Sequence, residues 1–247
     1  MRLFFFVKIY VTLYTYIMDK IDRFYYINLD RAVERKEHFL NECDREGLPS
    51  DKIFRYTAID GKTLNIAEYR TMFSNCDYAH QSWSINVMGN QLSHYNILLD
   101  IIQHERAFSV VFQDDVIFRP GFAEHFERVM NNITEDSEII NIGFHHYACL
   151  AHFEPWDFNC PEKDAGMCER IVNDAVHVLR HDINPCSLAY IVTLEGAKNM
   201  VEYFNRVGFL RATDHNFNDY LKNKNIFYAS RVVLCTGNHN FKSDVFV

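Results

Sequence analysis

The chain has 247 residues, 48% of them hydrophobic and 23% charged. That is globular composition at a length that buries a core without disulfide or metal staples, and it excludes a disordered or fibrous chain. Its 25 Lys and Arg against 33 Asp and Glu leave a formal charge of −8, which argues against a general nucleic-acid binder. Residues 1–19 contain an apolar, aromatic run from Leu3 to Met18, broken by Lys8. The run is shorter than the ~20 residues of a membrane helix and lacks a small-residue cleavage site. Three readings stand: a membrane-associated leader, a signal anchor, or an extension upstream of a start at Met18. The location expected is accordingly cytoplasmic or membrane-associated.

Phe24 to Leu29 is an aromatic and β-branched run, expected to be a strand covered on both faces. Val33 to Gly47 places Phe39, Leu40 and Cys43 on one side of a helix that Gly47 and Pro49 end. Phe54 to Ile59 reads as a second strand, closed by the turn pair Asp60-Gly61. After weak patterning over 62–88, Gly89-Asn90-Gln91-Leu92-Ser93-His94 leads into a helix whose Leu92, Tyr95, Leu98, Leu99 and Ile102 step by three and four. Phe108 to Phe112 predicts a central strand that runs into Gln113-Asp114-Asp115. A helix over 122–130 and a strand over 139–143 follow. Residues 144–182 carry histidines, prolines and three cysteines without a period and are expected to be an irregular insertion. A strand over 187–192, a helix from Leu194, a polar helix over 214–222 and a strand over 226–234 complete the chain.

Strands alternating with helices, with no linker or repeat, predict one α/β domain over 20–247 around a mostly parallel sheet. The seven cysteines lie at 43, 76, 149, 160, 168, 186 and 235, with no CxxC pair. Buried free thiols are expected, not a disulfide framework or a closed zinc site. The sequon Asn132-Ile133-Thr134 matters only in a secretory compartment.

Ligands of open α/β sheets bind beyond the carboxyl ends of the strands. Asp30 and Arg31 follow the first strand, Asp60 and Gly61 the second, and Gln113, Asp114 and Asp115 the third. Adjacent carboxylates repel, and a divalent cation relieves the repulsion while taking its other ligands from water and phosphate. The plainer alternative is that one Asp caps the next segment and the other is solvated.

Several stretches, in order, resemble glycosyltransferase family 25, which includes bacterial lipooligosaccharide galactosyltransferases and collagen-modifying galactosyltransferases. They are Tyr26-Ile27-Asn28-Leu29-Asp30-Arg31 with Arg35; Arg55-Tyr56-Thr57-Ala58-Ile59-Asp60-Gly61; Gly89 through Ser93-His94; Val110 to Val116; Ala189-Tyr190 with Gly196-Ala197; and Ser243-Asp244-Val245. The resemblance runs from about residue 23 to 245. It implies a GT-A-like nucleotide-sugar-binding fold and a metal-dependent, inverting transfer of a hexose, galactose or glucose. The donor implied is a UDP-sugar. The acceptor implied is a hydroxyl on a glycan, a lipooligosaccharide (as in lipopolysaccharide biosynthesis) or a collagen-like protein.

By the same resemblance, Asp115 holds Mn²⁺ or Mg²⁺, Asp114 binds the same ion or the donor's ribose or sugar, and His239 or Asp244 is a late ligand, a surface histidine being the other reading of His239. Arg31 and Arg35 meet the diphosphate; a solvated helix face is the other reading of Arg35. Asn28 and Asp30 contact the nucleoside, or Asp30 caps a helix. Asp60 touches the donor or merely makes its turn. Ser93 caps and His94 reaches phosphate, or the histidine is buried and satisfied. Asp214 is the expected base for the acceptor hydroxyl, with His215 as rival. The chain departs from the family pattern at Gln113, where the family has Glu, so the metal should rest on Asp115. Two other readings remain: a non-catalytic nucleotide- or glycan-binding protein on a degenerate transferase fold, and a phosphoryl-transfer enzyme, which lacks a GxxxxGK[ST] loop.

Overall fold

The computed structural model describes residues 18–74, 84–144, 168–173, 175–179, 186–224, 228–230 and 232–244. Its centre is an eight-stranded sheet of order β2-β1-β3-β9-β5-β10-β8-β7. β1 (Arg23–Asn28) pairs in parallel with both β2 (Ile53–Thr57) and β3 (Phe108–Gln113). β9 (Ala189–Thr193) runs antiparallel between β3 and β5 (Ile139–Asn141), and β10 (Tyr228–Ser230) is parallel to β5. A hairpin of β8 (Val176–Leu179) and β7 (Cys168–Ile171) extends the far edge. All strands but β9 and β8 therefore point one way, and the sheet is mostly parallel by direction.

Strand geometry explains why β1 is apolar at nearly every position. Alternate side chains leave opposite faces, and here both faces are covered. Phe24 and Tyr26 point into a core with Val110, Phe112 and Ile191, closed by Phe39 of α1 (Val33–Arg45) and by Phe122 and Phe126 of α3 (Phe122–Asn131). Tyr25 and Ile27 point the other way, toward Val111, Tyr190 and Val192. There they meet Leu92 and Leu98 of α2 (Ser84–Gln103), Met200 and Phe204 of α4 (Leu194–Val207), and Phe217 of α5 (Thr213–Asn223). The first core is a ring cluster in which Tyr26 stacks on Phe39 at 4.4 Å and Phe112 meets Phe118 edge-on at 5.2 Å.

A second sheet sits beside the first. β4 (Val116–Phe118) and β6 (Gly143–Phe144) flank β11 (Cys235–Gly237). Asp114 and Asp115 are the two-residue corner at which the chain leaves β3 for β4. The amide of Asn238, just after β11, donates to the Asp115 carbonyl at 2.7 Å and fixes that corner from the other side.

Several expectations change. β9 is antiparallel within the mostly parallel sheet, a direction its sequence does not reveal because a strand buried on both faces carries the same pattern either way. α2 begins at Ser84, so Gly89 is inside the helix and not at its start. Residues 168–171 and 176–179, expected to be irregular, are sheet edge, whereas 145–167 and 180–185 lie outside the described residues. Among the described residues of the strand expected over 226–234, Tyr228–Ser230 form β10, and β11 follows at Cys235–Gly237. The apolar run before Met18 also lies outside the described residues, among which no helix is long and apolar enough to cross a membrane. Cys43 and Cys235 are buried free thiols, pushed up in pKa by that burial, and Cys186 is half-buried.

Candidate functional site

The carboxyl ends of β1, β2 and β3 open onto one cavity of about 80 Å³. Its charged lining consists of Arg31, Arg35, Asp60, Asp114, Asp115 and Asp244. Five pieces of the fold place these six residues. The β3–β4 corner turns Asp114 and Asp115 toward Arg35, in the first turn of α1. Arg35 Nε lies 2.8 Å from Asp114 Oδ1, Nη2 lies 2.8 Å from Asp115 Oδ2, and Nη1 lies 3.0 Å from Asp244 Oδ2. One guanidinium thus faces three carboxylates. Burial works against its charge, but Asp115, Asp114 and Asp244 outweigh it and hold its pKa above the ordinary value. Phe241 packs under the guanidinium, 5.8 Å from its centre to the ring.

Asp60 is set by a close crossing of backbones. The turn after β2 lies against α2 where both partners are glycine. A Cβ on Gly61 would sit 2.1 Å from the Ile85 carbonyl oxygen, and one on Gly89 would sit 2.5 Å from that of Ile59. Ser93, one helical turn beyond Gly89, accepts from the Ile59 amide at 2.8 Å and donates to the Gly89 carbonyl at 2.7 Å. The Gly89…Ser93 spacing therefore clamps the end of β2. Asp60 caps the turn by accepting from the Lys62 amide at 3.1 Å and pairs with Arg31 through its other oxygen. Arg31 also reaches Asp244 Oδ1 at 3.2 Å.

Asn28 stands behind this front row, 1% exposed. Its Nδ2 donates to Asp114 Oδ2 at 2.7 Å and to the Ala32 carbonyl at 2.9 Å, while its Oδ1 accepts from Arg55 Nε at 2.8 Å. Asn28 therefore orients a carboxylate and does not itself line the cavity. Burial pushes the Asp114 carboxyl up to about 6. Arg35 and Asn28 oppose the rise, and Asp115 and Asp244 add to it.

The structure thus brings Arg31, Arg35, Asp60, Ser93, Asp114 and Asp115 to one wall. It does not bring the other expected residues there. Asp30 is turned outward onto Arg55 at 2.7 Å. His94 is fully enclosed, accepting from or donating to the Tyr190 hydroxyl at 2.9 Å, and burial lowers its pKa to about 3, so it is neutral. It is a core histidine, not a phosphate contact. Asp214 and His239 are not among the lining residues; Asp214 lies next to Thr213, whose hydroxyl donates to Asn90 on the cavity wall at 2.6 Å. Arg55 is the residue that sequence reasoning passed over. A charged side chain in a strand, in register with the buried Tyr26, must find a partner, and that signal was present.

The donor set suits a hard cation in part. Asp115 Oδ1 is buried and has no hydrogen-bond partner, whereas Asp115 Oδ2 and both oxygens of Asp114 are engaged. Among the described residues no group of three or more His, Cys, Asp or Glu forms a metal cluster. An ion here would have its protein ligand at Asp115 first and would draw the rest from phosphate and water. Gln113 also lines the cavity but turns its amide to Ser187, 3.3 Å from the hydroxyl, and adds no charge.

Residues 21–217 match the family model of glycosyltransferase family 25 (LPS biosynthesis protein), and the chain belongs to that family. It is 26% identical over 187 residues to a glycosyltransferase 25 family member of Drosophila pseudoobscura pseudoobscura, covering 73% of this chain and 27% of that protein. It is 25% identical over 203 residues to human procollagen galactosyltransferase 2, covering 78% of this chain and 29% of the human protein. A probable inactive glycosyltransferase 25 family member 3 of Bos taurus is also 25% identical, over 196 residues, covering 73% of this chain and 28% of that protein. The chain thus spans under a third of the length of these relatives.

Proposed function

We propose that the chain is a glycosyltransferase that moves a hexose, galactose or glucose, from a UDP-sugar to a hydroxyl of a glycan, a lipooligosaccharide or a collagen-like protein, with inversion and with Mn²⁺ or Mg²⁺. The observation that carries the reading is the gathering of Arg31, Asp60, Asp114 and Asp115 from three strand ends, and of Arg35 from the first turn of α1, around one cavity. It is supported by family membership. Arg31 and Arg35 bind the diphosphate through planar donors matched to phosphate oxygens. Asp115, with its uncommitted buried oxygen, holds the ion, and Asp114 assists. When bound, the ion supplies Lewis-acid stabilisation of the charge that develops on the leaving diphosphate. Asn28, held by Arg55, keeps Asp114 aimed at the site. Asp214 takes the acceptor proton, on a helix tied to the cavity wall through Thr213 and Asn90. Incubation with a panel of UDP-sugars and Mn²⁺, read by mass spectrometry, should show transfer or donor hydrolysis. No product from any donor, with or without metal, refutes the reading. Asp214→Asn should retain UDP binding and lose transfer at least about 100-fold, the lower end of what general bases contribute; normal turnover refutes that assignment.

A second reading, a non-catalytic nucleotide-binding protein, is favoured by Gln113 in place of an acid beside Asp114. UDP binding independent of metal, with no turnover, would select it.

A further inference from the structure

The cavity carries more negative than positive charge. Arg31 and Arg35 face the carboxylates of Asp60, Asp114, Asp115 and Asp244. Three of the four belong to the strand ends and their turns. The fourth, Asp244, arrives from 209 residues away in sequence from Arg35 and sits between the two guanidiniums, 3.2 Å from Arg31 Nη2 and 3.0 Å from Arg35 Nη1. Its two oxygens thus take one donor from each arginine, as two oxygens of a phosphate would. The backbone just before it adds to the closure. The Lys242 carbonyl accepts from Arg35 Nη1 at 3.4 Å, and Phe241 packs on both Arg35 and His38. With this stretch in place the free space is about 80 Å³, whereas sites for small organic ligands run from about 300 Å³ upward.

We propose that Asp244 is a tethered anion that fills the diphosphate position between Arg31 and Arg35, and that an incoming diphosphate expels it together with residues 242–244. The proposal rests on the reading of this cavity as a diphosphate site. Two consequences follow from charge and space. Expulsion removes one carboxylate from an acidic wall at the moment a polyanion enters, and it opens the volume that a nucleotide needs.

The test uses the full chain with Mg²⁺ present throughout, with inorganic pyrophosphate and UDP as separate calorimetric probes, and compares wild type with Asp244→Asn. Asp244 is half-buried near the chain end, so the substitution leaves the cores intact. The variant should bind pyrophosphate and UDP about fivefold more tightly, the size of two partly exposed ion pairs that no longer compete. Trypsin supplies a second readout: pyrophosphate should speed cleavage of the wild type after Lys242, which is exposed. Equal or weaker binding by the variant, or protection of Lys242 by pyrophosphate, overturns the proposal. If pyrophosphate binds more tightly to the variant but UDP binds to neither form, the latch stands and the nucleotide-donor reading falls. If UDP binds both forms equally, the donor reading stands and the latch falls. If neither probe binds either form, both fall.

Discussion

Arg35→Gln is the most informative perturbation of the acidic corner. The Arg35 side chain is 11% exposed, and those of Asp114 and Asp115 are 8% and 17% exposed. Removing one member of so enclosed a group leaves uncompensated charge and costs about 3–5 kcal/mol. That cost depends on pH with a definite sign. Asp114 in the folded wild type titrates at about 6, above its ordinary 3.8, so the folded state holds a proton that the unfolded state has lost between those values. Its contribution is therefore fully present below about pH 4 and is lost as pH rises through 6. Without the attraction of Arg35 the folded-state pKa moves higher still, and the loss continues toward neutrality. From pH 6 to 7.5 the extra cost is at most one and a half pH units at about 1.4 kcal/mol each, or roughly 2 kcal/mol. Urea unfolding of wild type and Arg35→Gln at pH 5 and at pH 7.5 gives the difference directly. His94, whose lowered pKa acts with the opposite sign, is common to both proteins and drops out of the comparison. The expected result is a larger loss at pH 7.5 than at pH 5. An equal loss at both values, or a variant as stable as wild type at pH 7.5, refutes the account of Arg35 as the partner of Asp114.

Gly89→Ala should destabilise the fold by about 1–3 kcal/mol, since the new methyl meets the Ile59 carbonyl and the Gly61 amide and the backbone has to move; a calorimetric melting temperature equal to wild type contradicts this. His94 should stay neutral down to about pH 4 in the folded protein, because burial lowers its pKa to about 3; nuclear magnetic resonance titration of its ring protons checks this, and a midpoint near 6.5 refutes it. Its stabilising term is present above pH 6.5 and is lost as pH falls toward 3. Arg55→Ala removes the donor that holds Asn28 Oδ1 and should cost about 1–3 kcal/mol, the penalty of a buried acceptor left unpaired. Chemical denaturation checks it, and Arg55→Ala with wild-type stability speaks against Asn28 as an oriented relay.

The centre of the sheet was legible because β1 and β3 are covered on both faces and so carry near-continuous apolar runs, which hold their meaning without knowledge of the neighbours. β4, β6 and β11 were not, since two or three residues are too few to display a period. The acidic corner and the two arginines were legible as residues that follow strand ends. Their mutual geometry was not, because the pairing of Arg35 with Asp244 spans 209 positions and nothing local encodes it. His94 misled for a specific reason. A Ser-His pair just after a glycine looks like a helix start, where polar groups face a ligand. With α2 beginning at Ser84, the pair is two residues of a helix interior, the serine turned to the β2 turn and the histidine to the core.

The link between the Asn238 amide and the Asp115 carbonyl gives the terminal stretch its fulcrum. Residues 239–244 continue from that anchored peptide, so the acidic pair and the segment that bears Asp244 share one fixed point. Asp115 and Asp244 are thus linked twice, through this hydrogen bond and through Arg35, which pairs with both carboxylates.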